Sequence, residues 1–250
     1  VADDFAASRR QGGMSNVRTM IRFQNQLQEM TADELVAALD EIAALDLPIE
    51  SQASLEQAII GALAKKDPEL ALNRFKDRLN DNRGLTGWML SEAMKEWCKK
   101  DTGAATAWLD QQIAGGKLDS KSLDGRNHTR SMFEGQVIGA LLANDPEAAS
   151  ARLATLPETQ RQEAMRIVST PLKEEQQADY ANMIREHLPE DDRNETLAQV
   201  ASQIVASKDY AGVSSYMERI SATPEERTAI VTEAATDKLR SVSFNGKLTQ

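Results

Sequence analysis

The side chains able to do chemistry in this chain are few, and most of them fall within residues 88–130. There are two histidines, His128 and His187. His128 lies in the run Asp124-Gly125-Arg126-Asn127-His128-Thr129-Arg130, at the end of a long loop. Arg126, His128 and Arg130 read as a small anion site near a helix N-terminus, whose free N–H groups favour negative charge. The plainer reading is a polar loop that happens to hold two arginines. His187 sits in an apolar row beside Glu186 and reads as a packed or edge histidine. Neither H-x-x-x-H nor H-E-x-x-H occurs, so no histidine-based zinc site is expected.

Trp88, Trp97 and Trp108 are the three tryptophans. Trp88 and Trp97 are nine apart on one predicted helix, about 180° around it, so they cannot line the same groove. Trp97 and Trp108 flank a corner at Asp101 and can meet across it. The three offer either an aromatic wall for a peptide, sugar or other ligand, or hydrophobic filling between helices. Cys98 is the one cysteine, which excludes an intramolecular disulfide. Lys99 and Lys100 beside it would favour its thiolate, but no paired histidine is near in sequence, and it reads as inert. Glu190, Asp191 and Asp192 fit the start of a helix, where the macrodipole favours acids, better than a cation site. No nucleotide-binding glycine loop and no G-x-S-x-G nucleophile elbow is present, and no cofactor or metal is implied.

Positioning these residues falls to a chain of 250 residues, 41% hydrophobic and 27% charged, which is ordinary for a folded protein. Aromatics make up 4% and alanine is abundant, which suits closely packed helices better than sheets. The net charge of −10 argues against nucleic acid or an anionic membrane surface as partner. No run approaches the ~20 apolar residues that span a bilayer. The chain begins at Val1, which reads as a trimmed or processed start, with signal-peptide removal one route to it.

Residues 1–13 read as a loose lead-in. Helical spacing begins at Ser15, with Val17, Met20, Ile21 and Leu27 on one face. Thr31 and Glu34 form a capping box for a helix through Leu35, Leu39 and Ile42. Pro48 breaks the chain before Leu55, Ile59, Ile60 and Leu63. Asp67-Pro68 then makes a corner in which Asp caps a helix and Pro fills its first turn. The same corner recurs at Asp101 and at Asp145-Pro146. Residues 80–84 are a turn cluster, and residues 115–127 are the longest irregular stretch. Helices are predicted over 131–143, after Pro157, from Thr170-Pro171 through Leu188, through Leu197 and Ile204, from the Asp209 corner to Ile220, and from the Thr223/Glu226 capping box through Leu239. A tail is expected over 241–250.

Aligned on the corner, Asp67, Asp101, Asp145, Asp179 and Asp209 are 34, 44, 34 and 30 residues apart. Asp179 lies inside a helical pattern rather than at a clear corner. Four residues after each come Ala71, Ala105, Ala149, Met183 and Val213, and eight after come Phe75, Leu109, Leu153, His187 and Met217. A small or apolar residue followed one turn later by a larger one is what stacked helical hairpins need. A period near 34 means two helices per unit.

With Asp-Pro-x-x-Ala corners closed by Leu156-Pro157 and Leu188-Pro189, residues 30–240 resemble a degenerate bacterial α-solenoid of the tetratricopeptide or HEAT-like kind. The tetratricopeptide signature residues are not met by any copy. The resemblance implies an all-α fold: a right-handed α-α superhelix of about five to six hairpins, forming a single helical-repeat domain over 1–250. It also implies a non-enzymatic scaffold for a protein or peptide, docked on a concave face or on the 115–127 loop. The alternative is a small-ligand binder or enzyme with a site near residues 88–108 and Arg126, His128 and Arg130.

Overall fold

The computed structural model of the protein describes residues 14–79, 85–123, 125–169, 172–207 and 210–244. The expected lead-in over 1–13, the turn cluster over 80–84, Thr170-Pro171, the Asp209 corner and positions 245–250 of the tail lie outside the described residues. Those described form α-helices joined by short turns, with no strand among them: the fold is all-α. Two compact units divide the chain between Leu118 and Asp119. The division falls inside the 115–127 stretch that interrupts the repeat in the sequence.

The first unit holds α1 (Met14–Glu29), α2 (Ala32–Ala44), α3 (Ile49–Lys66), α4 (Pro68–Phe75), α5 (Leu85–Lys100) and α6 (Thr102–Ala114). Cap chemistry makes its corners. At Thr31 the capping box is complete: Glu34 N–H donates to Thr31 Oγ1 at 3.3 Å, and Thr31 N–H donates to Glu34 Oε2 at 2.7 Å. Asp67 Oδ1 accepts from the Leu70 N–H, and Asp101 Oδ1 from the Ala104 N–H, each at 2.9 Å.

These corners join α1 to α2, α3 to α4 and α5 to α6. The first members stack in order, α1 on α3 and α3 on α5. Side chains stitch equivalent places of successive pairs: Lys66 Nζ donates to the Gln28 carbonyl at 2.6 Å and Lys100 Nζ to the Lys66 carbonyl at 3.2 Å. The second members are tied likewise, Asp40 to Arg74 by an ion pair and Asn73 to Trp108 by a 2.9 Å hydrogen bond. Their separations of 38, 34, 34 and 35 residues follow the period read from the sequence.

The second unit holds α7 (His128–Leu142), α8 (Pro146–Thr155), α9 (Glu158–Val168), α10 (Gln177–His187), α11 (Glu190–Ser207), α12 (Tyr210–Arg219) and α13 (Pro224–Phe244). Here α7 packs on α9, α9 on α11 and α11 on α13, while α8 packs on α10 and α10 on α12. The Asp145 cap holds, with Ala148 N–H donating to its Oδ1 at 3.0 Å. Ala71, Ala105 and Ala149 are fully buried, and Phe75, Leu109 and Leu153 follow them into the core, as close helix packing requires. Helices α7 and α9 come closest at Gly135, where a Cβ would lie 2.6 Å from Ile167 Cβ and 2.8 Å from the Ala164 carbonyl oxygen.

Arginines link the helix ends of this unit. Arg161 donates to the Leu156 and Ala154 carbonyls at the end of α8 and to the His187 carbonyl at the end of α10. Arg193 and Arg227 each donate to the carbonyl five residues earlier, Leu188 and Ala222, at 2.8 and 3.0 Å. Two buried tyrosines do equivalent work: Tyr180 Oη donates to the Met165 carbonyl and Tyr216 Oη to the Leu197 carbonyl, both at 3.1 Å.

Three boundaries differ from expectation. Helix α7 starts at His128 rather than Ser131, because Asn127 is its cap, its Oδ1 accepting from the Arg130 N–H at 3.0 Å. Helix α10 starts at Gln177, after a 3-10 turn over Glu174–Gln176 whose entry is held by the Lys173 N–H donating to Gln176 Oε1. Asp179 is therefore internal to α10 and caps nothing. Helix α13 runs through to Phe244, past the expected start of the tail. Among the described residues no helix is long and apolar enough to cross a membrane.

Candidate functional site

The first helices of the three N-terminal hairpins leave a groove of about 630 Å³ between them. Helix α1 contributes Gln24, Leu27 and Gln28. Helix α3 contributes Gln57, Ala58, Gly61, Ala62, Ala64 and Lys65, and α5 contributes Trp88, Met89, Glu92 and Glu96. Small residues on α3 make the floor. A Cβ added to Gly61 would meet only Met89 Cε, at 4.0 Å, so glycine keeps the floor low without being sterically forced.

One wall is a stripe along α5. Trp88, Glu92 and Glu96 are four residues apart, and side chains at that spacing share a helix face. Trp88 is 54% exposed, an unusual place for so large an apolar surface. Glu92 and Glu96 bring carboxylates to the same wall, with Lys95 3.4 Å from the first and Lys99 2.6 Å from the second. The lining also includes the amides of Gln24 and Gln28 on α1 and of Gln57 on α3, and the ammonium of Lys65 on α3. Such a surface can hold an apolar side chain, bond a peptide backbone through amides and attract a cation. Its described lining presents no nucleophile–base pair.

The other tryptophans are placed differently. Trp97 is on the opposite side of α5 from Trp88, and Trp97 and Trp108 are each 7% exposed, their ring centroids 6.1 Å apart and tilted by 57°. They meet across the Asp101 corner and fill the space between α5 and α6. Cys98, the residue after Trp97, is buried.

Arg126, His128 and Arg130 belong to the second unit. His128 and Arg130 lie on the first turn of α7 rather than in a loop, and Arg126 just precedes it. His128 is exposed and paired through Nδ1 with Glu163. Arg130 is half-buried and its Nε makes no hydrogen bond. The loop is pinned by Gln160 Nε2 donating to the Gly125 carbonyl at 3.1 Å and by Asn127 Nδ2 donating to the Asp119 carbonyl at 3.2 Å.

Elsewhere in this unit His187 Nε2 lies 2.6 Å from Ser150 Oγ, with its side chain 11% exposed. The Glu186 carboxylate approaches that same nitrogen, at 3.6 Å, not the other one. A serine–histidine–acid relay needs the acid on the far nitrogen, so the contact is a structural link between α8 and α10. Among the described residues no group of three or more His, Cys, Asp or Glu is placed to hold a metal ion.

The residues that sequence reading missed are Glu92, Glu96 and the amides that share the lining with them. The four-residue spacing of Trp88, Glu92 and Glu96 was available as a signal; the other lining helices, 30 to 70 residues earlier, were not. Comparison with known proteins found no family model, no curated protein and no solved structure that matches the chain.

Proposed function

We propose that the protein is a non-enzymatic interaction scaffold that takes a peptide segment of a partner protein in the groove between α1, α3 and α5. On this reading the hairpins are those of a tetratricopeptide- or HEAT-like solenoid, a right-handed superhelix of five to six units, and the groove is part of its concave face. Support comes from the order of packing within each unit and from cross-links about 35 residues apart.

The single observation that carries the proposal is Trp88, half exposed on the wall of a groove floored by alanine and glycine. Aromatics in such positions are common anchors of protein contacts. A net charge of −10 weighs against nucleic acid as the partner.

A display selection of random peptides on the wild-type protein and on Trp88→Ala tests this. Peptides retained by the wild type should be lost on the variant while its melting temperature stays the same. Equal recovery on both proteins, or no enrichment on either, would overturn the proposal. A groove of this volume also falls in the range used by small ligands. A metabolite thermal-shift screen with a Trp88-dependent hit would favour that second reading.

A further inference from the structure

The chemistry of the groove wall specifies its occupant further. Trp88, Glu92 and Glu96 recur every four residues on α5, which at 1.5 Å per residue places them about 6 Å apart, along a wall of about 12 Å. An extended peptide places alternate side chains on one side every ~6.6 Å. The two repeats nearly match, so three alternate side chains of one peptide can face the three wall residues in turn.

Charge then sets the register. Trp88 and Met89 offer an apolar face at one end, and Glu92 and Glu96 offer two carboxylates along the rest. Lys65 is the one cation among the described lining residues, so the net charge of that lining is negative. Lys95 and Lys99, which pair with the two glutamates, lie on α5 outside the lining. An incoming cation can share those carboxylates from the groove side.

We infer that the groove selects an extended peptide carrying one large apolar side chain followed at alternate positions by two basic ones. Running parallel to α5, its pattern is apolar-x-basic-x-basic; antiparallel, it is the reverse. This rests on the groove's being a peptide site, and specifies what kind of peptide it takes.

Fluorescence anisotropy with labelled nonapeptides tests it, their centres reading Leu-Ser-Lys-Ser-Lys, Lys-Ser-Lys-Ser-Leu, Leu-Ser-Glu-Ser-Glu and Leu-Ser-Gln-Ser-Gln. The better of the two basic peptides should bind at least about 10-fold tighter than the acidic one at low salt. That advantage should shrink in about 0.5 M sodium chloride, where charges are screened beyond roughly 4 Å. Glu92→Gln/Glu96→Gln should abolish the charge preference, so that the basic, acidic and Gln peptides bind alike; both substitutions are isosteric and on partly exposed sites. Binding of all four peptides with equal strength, lost in Trp88→Ala, would overturn the basic preference while leaving the groove a peptide site. Binding of none would overturn both.

Discussion

Arg185 grips both carboxylate oxygens of Glu226 from 41 residues away, its Nε at 2.9 Å from one and its Nη2 at 2.7 Å from the other. The same Nη2 donates to the Ile220 carbonyl, and Glu226 also accepts from the Thr223 N–H in the capping box of α13. One ion pair thus fixes the end of α12, the start of α13 and the face of α10. The Arg185 hydrogen bonds are the main reason the Glu226 carboxyl lies below its ordinary value of 4.5; burial opposes them and the Thr223 N–H assists.

We expect Glu226→Ala to destabilise the protein by about 2–3 kcal/mol, toward the low end for a severed buried pair because Arg185 retains some solvent. The pH dependence follows from the depressed value. Stability from this pair is complete above the unfolded-state value and is lost as pH falls through the lower folded-state value. Urea titrations of wild type and Glu226→Gln at neutral pH and near pH ~3 should show the gap between them narrowing in acid. A constant gap would mean that the pair's ionisation contributes nothing.

Gly135 and Gly139, one turn apart on α7, should respond in opposite directions to alanine. At Gly135 the new methyl would collide with Ile167 and the Ala164 carbonyl on α9, so we expect a loss of about 1–3 kcal/mol from overpacking. At Gly139 the nearest atoms belong to Val168 and begin at 3.9 Å, an ordinary contact. There the helix-forming gain of up to about 1 kcal/mol should prevail. Chemical denaturation of the two single variants decides the matter.

The tryptophans should separate stability from binding. Trp97→Ala and Trp108→Ala remove buried rings that touch each other and, for Trp108, the bond to Asn73, and each should cost about 3–5 kcal/mol. Trp88→Ala, at a half-exposed site, should change stability by less than about 1 kcal/mol. Thermal melts with parallel peptide titrations check the contrast.

Tyr180 and Tyr216 are buried, and burial holds their phenols un-ionised far into the alkaline range. Replacing either with Phe removes its hydrogen bond to a helix carbonyl, and at Tyr180 also the contact with the Ser169 side chain, without opening a cavity. A loss of about 1 kcal/mol each is expected from equilibrium unfolding.

Local chemistry was readable in the sequence and distant chemistry was not. Thr31, Asp67, Asp101 and Asp145 announce their corners because a cap needs only the N–H three residues on. Asn127 does the same work and went unread, because it sits in a polar loop where an asparagine is ordinary. Asp179 matches the spacing but not the role, since the turn before α10 is held by Lys173 and Gln176 instead. An arginine four residues after both Pro157 and Pro189 repeats in the sequence but drew no reading, because its purpose lies in carbonyls of neighbouring helices. Trp88 stood out by type, while the acids and amides that give it a setting come from three separate hairpins.

Arg161 joins the end of α8 to the end of α10, and Arg185 joins α10 to the end of α12 and the start of α13. Arg161 stays within its own and the adjoining hairpin, whereas Arg185 passes the end of α12 and reaches the helix that opens the hairpin after it. The second unit is therefore laced along its edge as overlapping shingles are, one seam being held in part by a side chain from beyond it.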